Sequence, residues 1–276
     1  MTFSIVARSA DGTQFGVAVA SKFLAAGAAV PAARSGVGAL ATQAFANLAY
    51  RDAGLWLLAA GRSAEETLAE LTGTDARRDQ RQAGVVAADG PGATFTGAGC
   101  LPWAGGCAGE GYAVQGNILT GPDVVAEMER AFLATDPDEP LAGRLLAALQ
   151  AGDHAGGDRR GRQSAALLVV SPEGGYGGGS DVLVDLRVDD HPDPVSELAR
   201  LIDLHHLYFD RPSPAACAPL VGPLDAEVRR RLAALGHDDP DLDRALSGWA
   251  GIENLEMRLV PGRIDPLVLD HLRSLS

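Results

Sequence analysis

Thr2, Ser21 and Lys22 are the residues whose types and spacing point first to chemistry. Thr2 directly follows the initiator Met, and a Met before so small a side chain is normally trimmed, which would leave Thr2 as the free N-terminus. A threonine carrying its own α-amine can act as nucleophile and base together, a pattern suited to attack on an amide carbonyl. Lys22 is the only lysine among 23 Lys and Arg residues. A compact ammonium kept where every other cation is a planar guanidinium suggests a site that needs a point charge. At about 4 Å and an effective dielectric of about 20, such a charge is worth up to about 4 kcal/mol. Half of that would bring an α-amine from about 7.8 to near or below 7, so the free base would dominate at neutral pH. The plainer alternative is an edge hairpin on which both side chains are simply solvated.

Two further groups are candidates. The run Gly156-Gly157-Asp158-Arg159-Arg160-Gly161-Arg162-Gln163-Ser164 enters an apolar strand. Its Arg159, Arg160 and Arg162 could grip a carboxylate or phosphate bidentately, and Asp158 could orient a nucleophile or amine; a solvated loop is the alternative. Asparagine occurs only at Asn47, Asn117 and Asn254. Asn117 falls in a strand, where Asn is poorly suited, and its amide could donate to an oxyanion, an interaction worth about 2.7 to 4 kcal/mol. Gln43 and Asn47 are weaker candidates for contacting substrate in the same way. No metal is expected: Asp193-Pro194 reads as a helix cap and first turn, and adjacent His205 and His206 lack the i, i+4 spacing of a ligand pair.

These residues need elements to hold them. Two β-prone runs, 2 to 8 and 15 to 21, flank Asp11-Gly12, a strong hairpin signal. With those two residues as the loop, positions summing to 23 face each other, and Thr2 lies opposite Ser21. Further strands are expected over 36–43, 82–88, 93–98, 112–119, 164–170 and 182–188. Helices are expected over 50–60, from Ser63 to Gly73 behind a capping box, and over 122–135, 141–151 and 194–207. Strands and helices thus come in groups rather than in strict alternation, which favours α+β layers over a doubly wound parallel sheet. Four prolines between Asp210 and Pro223 read as a linker. Stripes at Leu224, Val228, Leu232 and Leu235, at Leu242, Leu246 and Trp249, and a start at Asp265-Pro266 predict three tail helices.

With 276 residues, 46% of them hydrophobic, the chain can build one sizeable domain and a small second one. A net charge of -13 without a basic stripe makes nucleic acid and anionic membranes poor partners. No export signal or membrane-length apolar run is visible, so the expected location is the cytoplasm. Cys100, Cys107 and Cys217 are odd in number and lack metal-type spacing, which argues against disulfides and structural zinc. No G-x-G-x-x-G links a strand to a helix, and no cofactor is expected.

Several segments together resemble a known family. Thr2 to Arg8, Gly16 to Phe23, Ala41 to Ala44, Tyr112 to Asn117 and Gly157 to Ala165 are similar to the family called domain of unknown function 1028, over about residues 2 to 208. That family resembles the N-terminal-nucleophile (Ntn) hydrolases, which implies a four-layer αββα sandwich of antiparallel sheets with the nucleophile opening the first strand. The tail, with Leu232 to Gly236 and Trp249 to Glu256, resembles a peptidoglycan-binding-like domain often appended there, although His237 stands where an aromatic residue is common. The expected organisation is a sandwich over 1–208, a linker over 209–223 and a helical domain over 224–276. The expected function is hydrolysis of a small or dipeptide-like amide in a homo-oligomer. Thr2 would be the nucleophile, Lys22 would tune its amine, Ser21 and Asp158 would orient it, and Asn117 would serve the oxyanion. A silent sandwich that binds an anion through its arginines is the alternative.

Overall fold

Every second residue of the first strand faces a different layer, and this alternation organises the molecule. The computed structural model describes residues 2–275. The chain divides into two units, with the boundary after Ile202. The first contains strands β1 (Thr2–Arg8), β2 (Phe15–Ser21), helix α1 (Ala26–Ala29), β3 (Pro31–Arg34), β4 (Gly38–Ala44), α2 (Ala49–Ala59), α3 (Ala64–Gly73), β5 (Arg81–Ala87) and β6 (Ala93–Thr96). It continues through β7 (Gly105–Gly109), β8 (Tyr112–Asn117), α4 (Asp123–Ala134), α5 (Leu141–His154), β9 (Ser164–Val170) and β10 (Val182–Val188) into α6 (Pro194–Phe209).

Two sheets result, one in the order β10-β9-β2-β1-β8-β7 and one in the order β3-β4-β5-β6. Every pairing within them is antiparallel. On β1, Phe3, Ile5 and Ala7 pack with Met128, Leu145 and Leu149 of α4 and α5. On the other face of β1, Val6 joins Val17, Val19, Ala41 and Val86 between the sheets. The outer face of the second sheet, with Leu40 and Val85, meets Tyr50, Leu58, Leu68 and Leu71 of α2 and α3. This is the four-layer αββα sandwich. Period-2 alternation in strands buried on both sides requires apolar side chains on both faces, as β1 and β2 show. Emptying a site such as Phe3 by truncation to Ala would cost about 3–5 kcal/mol.

Local signals fix the ends. Ser63 accepts from the Glu66 amide while Glu66 accepts from the Ser63 amide, a complete capping box at the start of α3. The β1–β2 turn is wider than a two-residue loop. The Ser9 amide donates to the Gln14 carbonyl at 3.0 Å, and Gly12, at φ +73°, donates back to Ser9. Asp11 accepts from the Ser9 hydroxyl and the Thr13 amide, which holds its carboxyl below the usual carboxylate range. Extending the loop by one residue on each side leaves the register untouched, and Thr2 pairs with Ser21.

The second unit has its own core, built by Val228, Leu232, Leu246, Trp249, Leu255 and Leu272. Helices α7 (Pro223–Ala234), α8 (Leu242–Ile252) and α9 (Pro266–Leu275) supply it. The proline-rich stretch is part of this unit and not a free linker. Its Ala218–Pro219 strand, β11, pairs with β12 (Arg263–Ile264), and Cys217 is buried. The Arg258 guanidinium meets the Asp265 carboxylate and the Leu207 and His206 carbonyls. In this unit His205, His206 and Asp210 bring ligating atoms within 4.8 Å of one another. The His206 Nδ1 and Asp210 carboxylate meet at 2.8 Å as an i, i+4 pair.

Candidate active site

One end of the space between the sheets is polar. Thr2 pairs with Ser21 on one side and Asn117 on the other, and Ser21 pairs with Ser164. Four adjacent strands therefore place Ser164, Ser21, Thr2 and Asn117 in one row. Thr2 Oγ1 lies 3.0 Å from Ser21 Oγ, and either hydroxyl could donate. Thr2 is 5% exposed. The state of Met1, on which a free Thr2 amine depends, lies outside the described residues.

The facing sheet answers this row with amides. Gln43 donates through Nε2 to Gln82 Oε1 at 2.8 Å and lies 3.4 Å from the Thr2 carbonyl. The Asn117 amide donates to the same Gln82 oxygen at 2.8 Å. Gln82 in turn donates to the Gly116 carbonyl and to Thr96 Oγ1. Ser4 donates to Gln43 Oε1 and accepts from Gln115 Nε2, both at 2.7 Å. The floor of the site is thus a hydrogen-bonded plug, in which Gln115 Oε1 is buried without a hydrogen-bond partner among the described residues. Asn117, 1% exposed, is held as part of that plug, with one of its donors engaged by Gln82. Gln115 packs against Gly84, where any Cβ would fall 1.9 Å from Gln115 Oε1.

Asp158 ties the arginine-rich run to the same end. Its side chain is 2% exposed and accepts from the Lys22 amide and from the Arg160 amide, both at 2.8 Å. The Gln163 amide donates to the Ser21 carbonyl, and Leu119 bridges to Asp158. Ser164, two strands from Thr2, is about 10 Å away at the usual strand spacing. Its hydroxyl donates to the Phe23 carbonyl and accepts from the Ala26 amide. Lys22 is exposed, and its ammonium donates to the Arg162 carbonyl at 3.2 Å. Arg160 pairs with Asp158, and Arg162 with Asp153 at 2.7 Å. Arg159, also exposed, donates its backbone amide to Ile118. Two of the three arginines therefore already face carboxylates.

Asn47 belongs to a second hydrogen-bonded network. It donates to Asp75, which also accepts from Tyr50 and Arg81. The Arg81 guanidinium, followed by the Arg77 amide, holds the Asp75 carboxyl far below the usual range. Burial, with Asp75 next to it, pushes the Tyr50 hydroxyl up to about 12.

Two hollows flank the row. A cleft of about 340 Å³ is lined by Phe3, Ala20, Ser21, Asp153, Asp158 and Arg162 among others. A second, of about 470 Å³, includes Asn117 with Ala44, Phe45, Cys100, Leu101 and Ile118. Thr2 lines neither, but its two register partners line one each. Burial pushes the Cys100 thiol up, which disfavours its thiolate. Ala44 and Ile118 both adopt left-handed backbone, φ 65° and 51°. Such residues cost about 1–3 kcal/mol each and gather at functional sites.

The first unit is an antiparallel αββα sandwich with a row of hydroxyl and amide side chains across four strand ends. Residues 2–198 match the model of a "Family of unknown function (DUF1028)", and the chain belongs to that family. Residues 208–272 match the "Putative peptidoglycan binding domain". A crystal structure of a Silicibacter pomeroyi protein of the DUF1028 family is 31% identical, with a TM-score of 0.67, over 74% of this chain and 86% of that one. No curated protein matches. Among the described residues, no helix is long and apolar enough to cross a membrane.

Proposed function

We propose that the first unit is an amidohydrolase of the N-terminal-nucleophile type that acts once Met1 has been removed. The observation that carries this reading is the Thr2 hydroxyl, 3.0 Å from Ser21 Oγ at the polar end of the sandwich. Thr2 Oγ attacks the amide carbonyl, and its α-amine takes the proton and delivers it to the departing amine. Water then cleaves the threonyl ester with the same amine as base. Ser21 orients the attacking oxygen. Asp158 is a positioning residue: by holding the Lys22 amide it fixes the end of β2 and, with it, Ser21. Gln43 and Gln82 hold Thr2 and Asn117 in register, with Asn117 beside the oxyanion. The second unit is read as an interaction module, tested by co-sedimentation with purified peptidoglycan.

The test is intact mass followed by a screen of small amides. Loss of Met1, turnover of an amide, and a fall of at least about a thousandfold in Thr2→Ala are expected. Met1 retained in an active preparation, or full turnover by Thr2→Ala, would overturn the mechanism.

A further inference from the structure

We infer that the hollow beside Asn117 receives an uncharged apolar substituent of the substrate, so the amide acted on at Thr2 carries an alkyl or aryl group on one side. This rests on the reading of Thr2 as nucleophile.

The two sheets end in the same way at this point. Gln43 and Asn117 belong to the polar plug, and the residue after each, Ala44 and Ile118, turns into left-handed backbone. That turn splays both strand ends, and the hollow of about 470 Å³ lies between them, within the size range of small-molecule sites. Its lips are large apolar side chains left in water: Phe45 is 59% exposed and Leu101 61%.

These lips are braced from behind. The Phe45 amide donates to the Gln80 carbonyl at 3.1 Å, Arg81 donates to the Phe45 carbonyl, and the Arg81 guanidinium carbon lies 5.4 Å from the Phe45 ring centre. Arg81 is itself fixed by Asp75. On the other side the Ile118 amide donates to the Leu101 carbonyl at 3.0 Å. Apolar surface fixed open to solvent is a preformed wall for an apolar group.

The lining also says what does not fit. Phe45, Gln80, Cys100, Leu101, Asn117 and Ile118 carry no charge, whereas the cleft on the Ser21 side has Asp153, Asp158 and Arg162. Thr2 pairs with a lining residue of each. The hollow beside Asn117 thus offers an uncharged, largely apolar lining, and the cleft beside Ser21 a charged one.

The test measures binding first, on the full chain by calorimetry, and then the chain-length preference of turnover. Hexanamide is expected to bind at least about tenfold more tightly than acetamide. Leu101→Asp and the milder Leu101→Gln should each lower hexanamide affinity at least about fivefold with unchanged thermal unfolding, and Leu101→Met should keep it. Thr2→Ala should bind hexanamide as the parent does, so a failed mechanism leaves the hollow standing. Hexanamide binding no tighter than acetamide, or undiminished in both polar Leu101 variants, would overturn the inference. Turnover of amides without preference for the hexanoyl chain would do so as well, while leaving Thr2 as the nucleophile.

Discussion

Thr2 and Ser21 face each other across the β1–β2 ladder with their hydroxyl oxygens 3.0 Å apart, both buried. Because the ladder sets this distance, the pair is positioned by the strands' full length and not by a mobile loop. Ser21→Ala should lower kcat by about 10- to 100-fold with KM little changed. Stability should fall by about 1–3 kcal/mol, the cost of removing one partner of a buried hydrogen bond. Steady-state kinetics alongside denaturant unfolding separates the two effects.

Asp158 acts through backbone amides. Asp158→Asn keeps the shape but offers one acceptor where two oxygens now accept from Lys22 and Arg160. Turnover should drop while KM for a small amide moves less. Lys22→Arg, by contrast, should retain turnover within about threefold, because the exposed ammonium meets only the Arg162 carbonyl among described partners. A larger loss in Lys22→Arg than in Asp158→Asn would reverse these roles.

The amide plug sets a stability prediction. Gly84→Ala places a Cβ 1.9 Å from Gln115 Oε1, with strands on either side, and should destabilise by about 1–3 kcal/mol or more. Gln82→Met should cost a similar amount, since Gln43 and Asn117 would each lose an acceptor. Chemical denaturation reads both.

The Asp75 network predicts a pH window. The Asp75 carboxyl is held low in the folded chain, so its contribution is full above about pH 4 and is lost as pH falls through the folded-state value. Tyr50 is pushed up to about 12, so its contribution is full below about pH 10 and fades as pH rises through that folded value. Asp75→Asn should flatten the acid limb of the stability profile and Tyr50→Phe should flatten the alkaline one. Thermal unfolding between about pH 3 and pH 11 provides the check.

Much of this was legible in the residues, for reasons that can be named. Asp11-Gly12 centred the hairpin, and centring alone fixed Thr2 opposite Ser21 even though the turn proved wider. The ranges of β9 and β10, and the Ser63–Glu66 capping box, follow the expected positions. Strand β7 escaped notice because Gly105-Gly106-Cys107-Ala108-Gly109 has loop composition; it is a strand because β8 supplies its partners. In the sequence Gln82 marks only the start of a strand. Its place in the plug depends on which face meets the other sheet, and that is a tertiary fact. The bond from Asn47 to Asp75, distant in sequence and without any local signal, is likewise a tertiary fact. The proline-rich stretch read as a linker because a two-residue strand such as β11 has no periodicity to detect.

The most direct measurement is the mass of the N-terminal peptide after the purified chain is exposed to a β-lactone, whose strained ring acylates an activated hydroxyl. The expected result is a peptide beginning at Thr2 that carries one acyl group on the Thr2 hydroxyl, with about one adduct per chain and none in Thr2→Ala. A peptide that begins at Met1, or an adduct that persists in Thr2→Ala, would contradict Thr2 as the nucleophile.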